Sequence, residues 1–548
     1  MLKLRCLFRF LIVFFYCILC LSLMPTAKSN AKSNKDFFTV YDLNVEGDYI
    51  DCIIEDLNGD GLNDGLFFHA MRNDGSITRY FSVFYQHAKG FSKQADYRFE
   101  ISAGAVVYDV ADIDSTPDKE ILFFKNEGLF YYKMTDGRYD AAPELFFETP
   151  SIFKLPDQSF LERLNFVRDL NNDGVEEILI PQFHHYVIYS KQPDDIQPSD
   201  LQTDGKQAED QPAAGSYTMT ATLDCPVQNS IQSLRGADRS LISTFLTPNT
   251  IIFDYNWDQL NDIVTVHGNH LKVFFQNAAG QFSNDDSAVV SFDFDITLAY
   301  TSMSGPGRLH ERDRLKDKIG ITSLTDLNDD GLLDMIVEKF SMKDGALNPK
   351  KQFQIFFGVL DSANPHNGGI FNKVPDHIII NRGLQIYSKI VDLNNDGKMD
   401  IYIPIIEIGV FNFISMLISG DIEIMVLWYV MDDSGNYLKK PDFEMEVTFE
   451  LDTKGRKFPV STFGGDFNGD GHKDFLRSQD GKLKVHYAPE DGVPREKPDA
   501  EFEIEVPDNG LMVRPYMVNA DARSDVVMIF TPNVVTEEQG RVQILVTN

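Results

Sequence analysis

DLNNDGKMD, running from Asp392 to Asp400, belongs to a set of nine-residue acidic phrases spread along the chain. The others are DLNGDGLND from Asp56 to Asp64, DLNNDGVEE from Asp169 to Glu177, DLNDDGLLD from Asp326 to Asp334 and DFNGDGHKD from Asp466 to Asp474. Oxygen-bearing side chains occupy positions 1, 3, 5 and 9, and a glycine at position 6 permits a tight backbone turn. That pattern suits a hard cation such as calcium, which takes six to eight oxygen ligands.

Degenerate copies lie between and after the clear ones. DYNWDQLND, Asp254 to Asp262, keeps every oxygen ligand but carries Gln259 in place of glycine. DIDSTPDKE, Asp112 to Glu120, offers Asp112, Asp114, Thr116 and Glu120 around Pro117, and MVNADARSD, Met517 to Asp525, retains Asn519, Asp521 and Asp525. Successive copies begin 51 to 85 residues apart. Self-similarity at such a period marks an array of supersecondary units, and this one suits a four-stranded propeller blade with loops, slightly longer than the common repeats of about 40 to 50 residues.

Around each phrase the same order recurs: an apolar strand, the acidic loop, a second apolar strand, then a third after a polar turn. In the first unit these are Ile50 to Glu55, Leu66 to Ala70 and Tyr80 to Tyr85, with Tyr97 to Ile101 as a fourth strand. A loop between strands excludes an EF-hand, which needs flanking helices and a bidentate Glu at position 12. Eight phrases predict eight blades, with seven as the alternative if the last copy is absorbed by a neighbour. The final blade lacks an outer strand, and a spare strand, Phe37 to Leu43, precedes the first phrase. Pairing the two would close the ring and remove the exposed edges of an open array.

D-x-N-x-D-G-x-x-D between short strands at blade-like intervals resembles the FG-GAP and VCBS repeats, the units of integrin α-subunit-type β-propellers. The resemblance covers essentially all of the chain from residue 36 to residue 548. It implies an all-β propeller with calcium bound between the first and second strands of blades, through side chains at positions 1, 3, 5 and 9 and a main-chain carbonyl at 7. The implied ligands are Asp56, Asn58, Asp60 and Asp64; Asp169, Asn171, Asp173 and Glu177; Asp326, Asn328, Asp330 and Asp334; Asp392, Asn394, Asp396 and Asp400; and Asp466, Asn468, Asp470 and Asp474. Asp254, Asn256, Asp258 and Asp262 form a sixth set. The Asp112 and Met517 copies depart from the pattern, which leaves metal binding there open without removing the blade.

Composition bounds the function classes. The 548 residues carry a formal net charge of −33, which argues against nucleic-acid partners and anionic membrane surfaces. Two carboxylates about 4 Å apart repel by roughly 1 kcal/mol in water and about 4 kcal/mol at an effective dielectric of 20, so three per loop call for a cation. Lys3, Arg5 and Arg9 precede an apolar run, Phe10 to Met24, and small residues around Ala27, Ser29 and Ala31. Residues 1–31 therefore read as a secretory signal, with an uncleaved anchor as the alternative and no other transmembrane segment. Secretion, to the periplasm or cell surface, is the expected address. Cys52 and Cys225 remain after the signal, too few for a disulfide scaffold, and the free thiol is the default for both.

Insertions are expected near 190–245, 300–318 and 408–420. The first includes a loop, Gln192 to Ala214, rich in Asp, Gln, Pro and Ala; the second is the one strongly basic patch, and the third is apolar with helical character. The chain carries no serine-hydrolase elbow, paired-histidine zinc helix, phosphate-binding glycine loop or CxxC pair. His184–His185 and His267/His270 read as structural. The expected function is a monomeric, calcium-stabilised interaction module for a protein or glycan, not an enzyme. The alternative is a propeller hydrolase or lyase with its site in the central channel, for which convergent acids, histidines and arginines there would speak.

Overall fold

A computed structural model describes residues 37–73, 76–114, 116–153, 159–191, 217–233, 241–246, 249–294, 318–341, 349–360, 369–385, 387–406, 421–450, 461–479, 482–530 and 540–548. The signal region, the loop at 192–214, most of 300–318 and the stretch at 408–420 lie outside them.

The strands pair into eight four-stranded antiparallel sheets, each the blade of a β-propeller. Their sequential strands are 48–55, 64–73, 76–84 and 97–100 in the first blade; 107–111, 120–125, 128–132 and 144–148 in the second; and 167–168, 177–181, 185–191 and 217–224 in the third. The fourth comprises 250–253, 262–267, 270–276 and 282–291; the fifth 318–325, 334–341, 350–356 and 377–382; and the sixth 389–391, 400–406, 421–429 and 443–450. The seventh comprises 461–465, 474–479, 482–486 and 500–502. The eighth takes 513–516, 525–530 and 541–547 from the end of the chain and 38–43 from its start. Eight blades are therefore formed, and the ring closes as the spare strand predicts, with Phe38 opposite Thr547 and Leu43 opposite Val542.

Second strands read as nearly unbroken apolar runs because each is covered on both faces by neighbouring blades. The period of two assigns alternate residues to opposite neighbours. Ile121 and Phe123 pack toward the first blade, with Leu66, Phe68 and Phe81, whereas Leu122 and Phe124 pack toward the third, with Ile178 and Ile180. Ile336 belongs to the core shared with the sixth blade while Met335 and Val337 face the fourth. The buried apolar side chains consequently fall into eight clusters, one for each contact between adjacent blades. Trp428 fills the sixth-to-seventh contact, edge-on to Phe475 at 5.5 Å between centroids.

Cys52 and Cys225 are free and buried. Cys225 is not part of an insertion: it follows the outer strand of the third blade and packs in the core shared with the fourth. Within 190–245 the added structure that is described is a hairpin, 228–233 with 241–246. Smaller hairpins precede the outer strands of the first, second and fifth blades, and 162–163 pairs in parallel with 107–108 as a fifth strand. His267 and His270 face each other across a hairpin turn.

Removal of residues 37–43 should leave strand 541–547 without its partner and uncover apolar surface, lowering the melting temperature and promoting self-association. Size-exclusion chromatography with thermal denaturation checks this, and an unaltered monomer would contradict the closure.

His69 and His486 are fully buried, and burial pushes each imidazole down to about 4. His69 Nε2 faces Ser82 Oγ at 2.9 Å and His486 Nδ1 faces the Arg495 carbonyl at 2.7 Å. A neutral buried ring resists protonation that the unfolded chain accepts below about 6.5, so each histidine withdraws stability as pH falls from there toward 4, by up to roughly 3 kcal/mol. The double variant His69→Gln/His486→Gln should thus lose less stability than wild type over that interval. Parallel melting-temperature profiles would refute it.

Candidate metal loops

All eight phrases connect the first strand of a blade to its second, which places them on one face of the ring. Position 2 is an apolar anchor: Leu57, Ile113, Leu170, Tyr255, Leu327, Leu393, Phe467 and Val518 are all at most 2% exposed. Six loops share a second feature, a left-handed backbone at positions 4 and 6. Gly61, Gly174, Gly331, Gly397 and Gly471 have φ between +80° and +92°, and Gln259 holds +70° at the same place. Position 4 is left-handed as well, through Gly59, Asn172, Trp257, Asp329, Asn395 and Gly469. A non-glycine residue such as Gln259 adopts that region at a cost of about 1–2 kcal/mol, so its retention shows that the loop's shape is imposed by its surroundings.

That shape gathers oxygens. In the sixth blade Gly397 N–H donates to Asp392 Oδ2 at 3.0 Å and Lys398 N–H to Asp396 Oδ1 at 2.8 Å. Asn394 Nδ2 donates to Asp396 Oδ2 at 3.2 Å. Nearly the same bonds recur around Asp56, Asp254, Asp326 and Asp466. In the Asp169 loop, Asn171 Nδ2 instead donates to Glu177 Oε1 at 3.1 Å. Carboxylate and amide oxygens are hard donors, and each retains a lone pair beyond the backbone bond it accepts, so the set fits calcium.

Position 9 has a separate task. Asp334 is fully buried, and its Oδ2 accepts the Leu327 N–H at 2.9 Å while its Oδ1 accepts the Gly358 N–H just past the third strand at 2.7 Å. Asp64, Asp262, Asp400, Asp474 and Asp525 make the same pair of bonds, to the position-2 amide and to Gln86, Gln276, Met431, Ala488 and Thr547. Burial raises these carboxyls, to about 7 for Asp64, Asp262, Asp334, Asp400 and Asp474 and to about 6 for Asp525, against the lowering effect of the two amides. Glu120 and Glu177 are likewise raised to about 7, burial again leading.

Neighbouring loops are joined, and where the donors are backbone amides no sequence signal announces it. The position-8 N–H of one loop donates to the position-2 carbonyl of the loop before it: Lys119 to Leu57 at 2.9 Å, Met399 to Leu327 at 2.8 Å and Lys473 to Leu393 at 2.8 Å. Ser524 N–H reaches Asp466 O at 2.6 Å, and Asn63 Nδ2 donates to Met517 O at 2.8 Å, linking the first and last loops. Trp257 Nε1 donates to Gly331 O at 2.6 Å. An aromatic residue at position 4 is the one sequence clue to such bridging.

First strands of neighbouring blades touch, 107–111 against 167–168 and 461–465 against 513–516, so they form the inner layer. Charged groups there tie blades together. Arg514 pairs with Asp51 at 2.9 Å across the closure, and Arg163 reaches Glu55 at 2.9 Å and Asp109 at 3.4 Å. Lys389 donates to Thr462 Oγ1 at 2.7 Å, and Arg168 to Thr250 Oγ1 at 2.6 Å.

No protein-family model and no curated protein matches the sequence. Among solved structures the chain is similar to an Agrocybe aegerita lectin that recognises non-reducing terminal N-acetylglucosamine, at 12% identity over 84% of this chain and 90% of that one, with a TM-score of 0.33. It is also similar to the WD40 domain of SCAP from fission yeast, at 7% identity over 95% and 97%, TM-score 0.35, and to the V. cholerae biofilm matrix protein Bap1, at 10% over 92% and 88%, TM-score 0.28. The ring is assigned from its strand pairing, not from these likenesses.

Asp334→Ala should destabilise the protein in the presence of chelator by on the order of 3 kcal/mol, because two buried amides lose a charged acceptor. Asp330→Asn, at an exposed position 5, should stay within about 1 kcal/mol of wild type under the same conditions. Urea denaturation of both variants checks the contrast; equal losses would show that position 9 has no bracing role.

Proposed function

We propose that the chain is a secreted, calcium-stabilised propeller of the FG-GAP/VCBS type that acts as an extracytoplasmic interaction module, presenting one face to a protein or glycan partner. The observation that carries the reading is the array of six loops with a common left-handed backbone and oxygen set on one face of the ring. Calcium would be held by positions 1, 3, 5 and 9, as by Asp392, Asn394, Asp396 and Asp400 in the sixth blade. When bound it neutralises clustered carboxylates and fixes the loop, so its part is structural. The basic, apolar and small-residue order of residues 1–31 supports export, and no helix among the described residues is long and apolar enough to cross a membrane. The inner-strand charges named above are engaged in ties between blades, which favours binding over channel chemistry.

Calorimetry should register about six calcium ions per mature chain. Chelation should lower the melting temperature, since a ligand that binds only the folded state stabilises by about 2.7 kcal/mol per site at a hundredfold excess over its dissociation constant. Asp330→Asn should weaken one of those sites. Absence of binding, or a melting temperature indifferent to chelator, would reject the calcium reading and leave only the propeller.

A further inference from the structure

Asp112, Asp114 and Glu120 each place one carboxylate oxygen within 4.8 Å of the others, in the second-blade loop that lacks both the position-6 glycine and the position-5 acid. A second observation singles out this loop. Glu120 is only 1% exposed, and its Oε1 has no hydrogen-bond partner. The physical reason lies in its neighbour at position 3. In the third blade the equivalent glutamate, Glu177, satisfies its second oxygen with the Asn171 side-chain N–H; here position 3 is Asp114, which has no N–H to give and adds a charge. Glu120 Oε2 is held by the Ile113 N–H at 3.2 Å, and Asp114 Oδ1 by the N–H and hydroxyl of Thr116 at 2.9 and 2.6 Å, so the groups are oriented before any ligand arrives. A buried carboxylate beside two other acids, with one of its oxygens unbonded, lacks a positive partner.

We infer that Asp112, Asp114 and Glu120 form a further binding site for a hard divalent cation, built on a different backbone from the six regular loops. Three carboxylates with water completing the shell suit calcium or manganese. Lys133 stands at the rim, its Nζ 3.9 Å from Asp114 Oδ2 and its side chain 45% exposed, and it competes weakly for the same charge. The site does not require that the six regular loops hold calcium.

The test is a calcium titration of the mature chain, with terbium luminescence excited through tyrosine, Tyr131 and Tyr217 being within electrostatic reach of the cluster. Glu120→Gln should remove one ion from the stoichiometry. It should also shift stability in opposite directions: a higher melting temperature than wild type in chelator, where the amide can donate to Asp114, and a smaller gain on adding calcium. Asp114→Ala should lose the same ion, and Lys133→Met should tighten one site about threefold. Should Glu120→Gln fail to fold, the Asp114→Ala and Lys133→Met variants still decide. If wild type, Asp114→Ala and Glu120→Gln bind equal numbers of ions with equal affinities, this site is refuted while the six loops stand. If wild type binds one ion that Asp114→Ala loses, the site stands and the regular loops fall.

Discussion

In six of the eight blades a buried aspartate at position 9 ties the strands together. Its two oxygens reach in opposite directions, one to the position-2 amide at the top of the acidic loop and one to an amide at or just past the end of the third strand. Hydrogen bonds to a charged acceptor are about twice as strong as neutral ones, and an orphaned amide in this position would cost the full desolvation of the group. One side chain therefore fixes the register of the first, second and third strands at their common end. Its depth in the sheet raises its proton affinity, as the carboxyls pushed to about 7 record. The acids at positions 1 and 5 sit above it and add repulsion, so the arrangement favours a cation at the loop.

The blade count and the closure were legible because both depend on features written locally. The acidic phrase recurs once per blade, and the strand 38–43 has no other phrase to serve. Alternate-face packing was equally legible, since Leu122 and Ile121 must point to different neighbours once their strand is buried on both sides. The links between loops were hidden, because a backbone amide at position 8 leaves no trace in residue type. The fifth strand at 162–163 was hidden for a related reason: it pairs over two residues, too short for periodicity to register. Cys225 falls within the span 190–245 expected as an insertion because the outer strand of its blade follows a long polar stretch, so hydrophobic pattern alone did not distinguish insertion from core.

Within the candidate site, the six sets of oxygens were legible and their ranking was not. Gln259 stands at a glycine position, yet its backbone keeps the left-handed turn at φ +70°. The surrounding contacts, including Trp257 donating to the next loop, enforce the shape against the residue's preference. Conversely, the Asp112 loop looks degenerate because it breaks the phrase, while its acids converge within 4.8 Å. Pattern matching weighs each position by its frequency in the phrase, whereas convergence depends on side-chain length and on which neighbour can donate.

The two departing loops show which positions the blade itself needs. Around Met517 the first acid and the glycine are gone, yet Val518 stays fully buried and Asp525 still accepts both bracing amides, at 2.8 Å each. Around Asp112 the glycine is gone, yet Ile113 is fully buried and Glu120 holds its amide. Positions 2 and 9 thus persist in all eight blades, while the Met517 loop departs at positions 1 and 6 and the Asp112 loop at positions 5 and 6. The blade is therefore braced by positions 2 and 9 and can be built without a complete oxygen set. The full set at positions 1, 3 and 5 in the other six loops is what the proposed calcium sites would use.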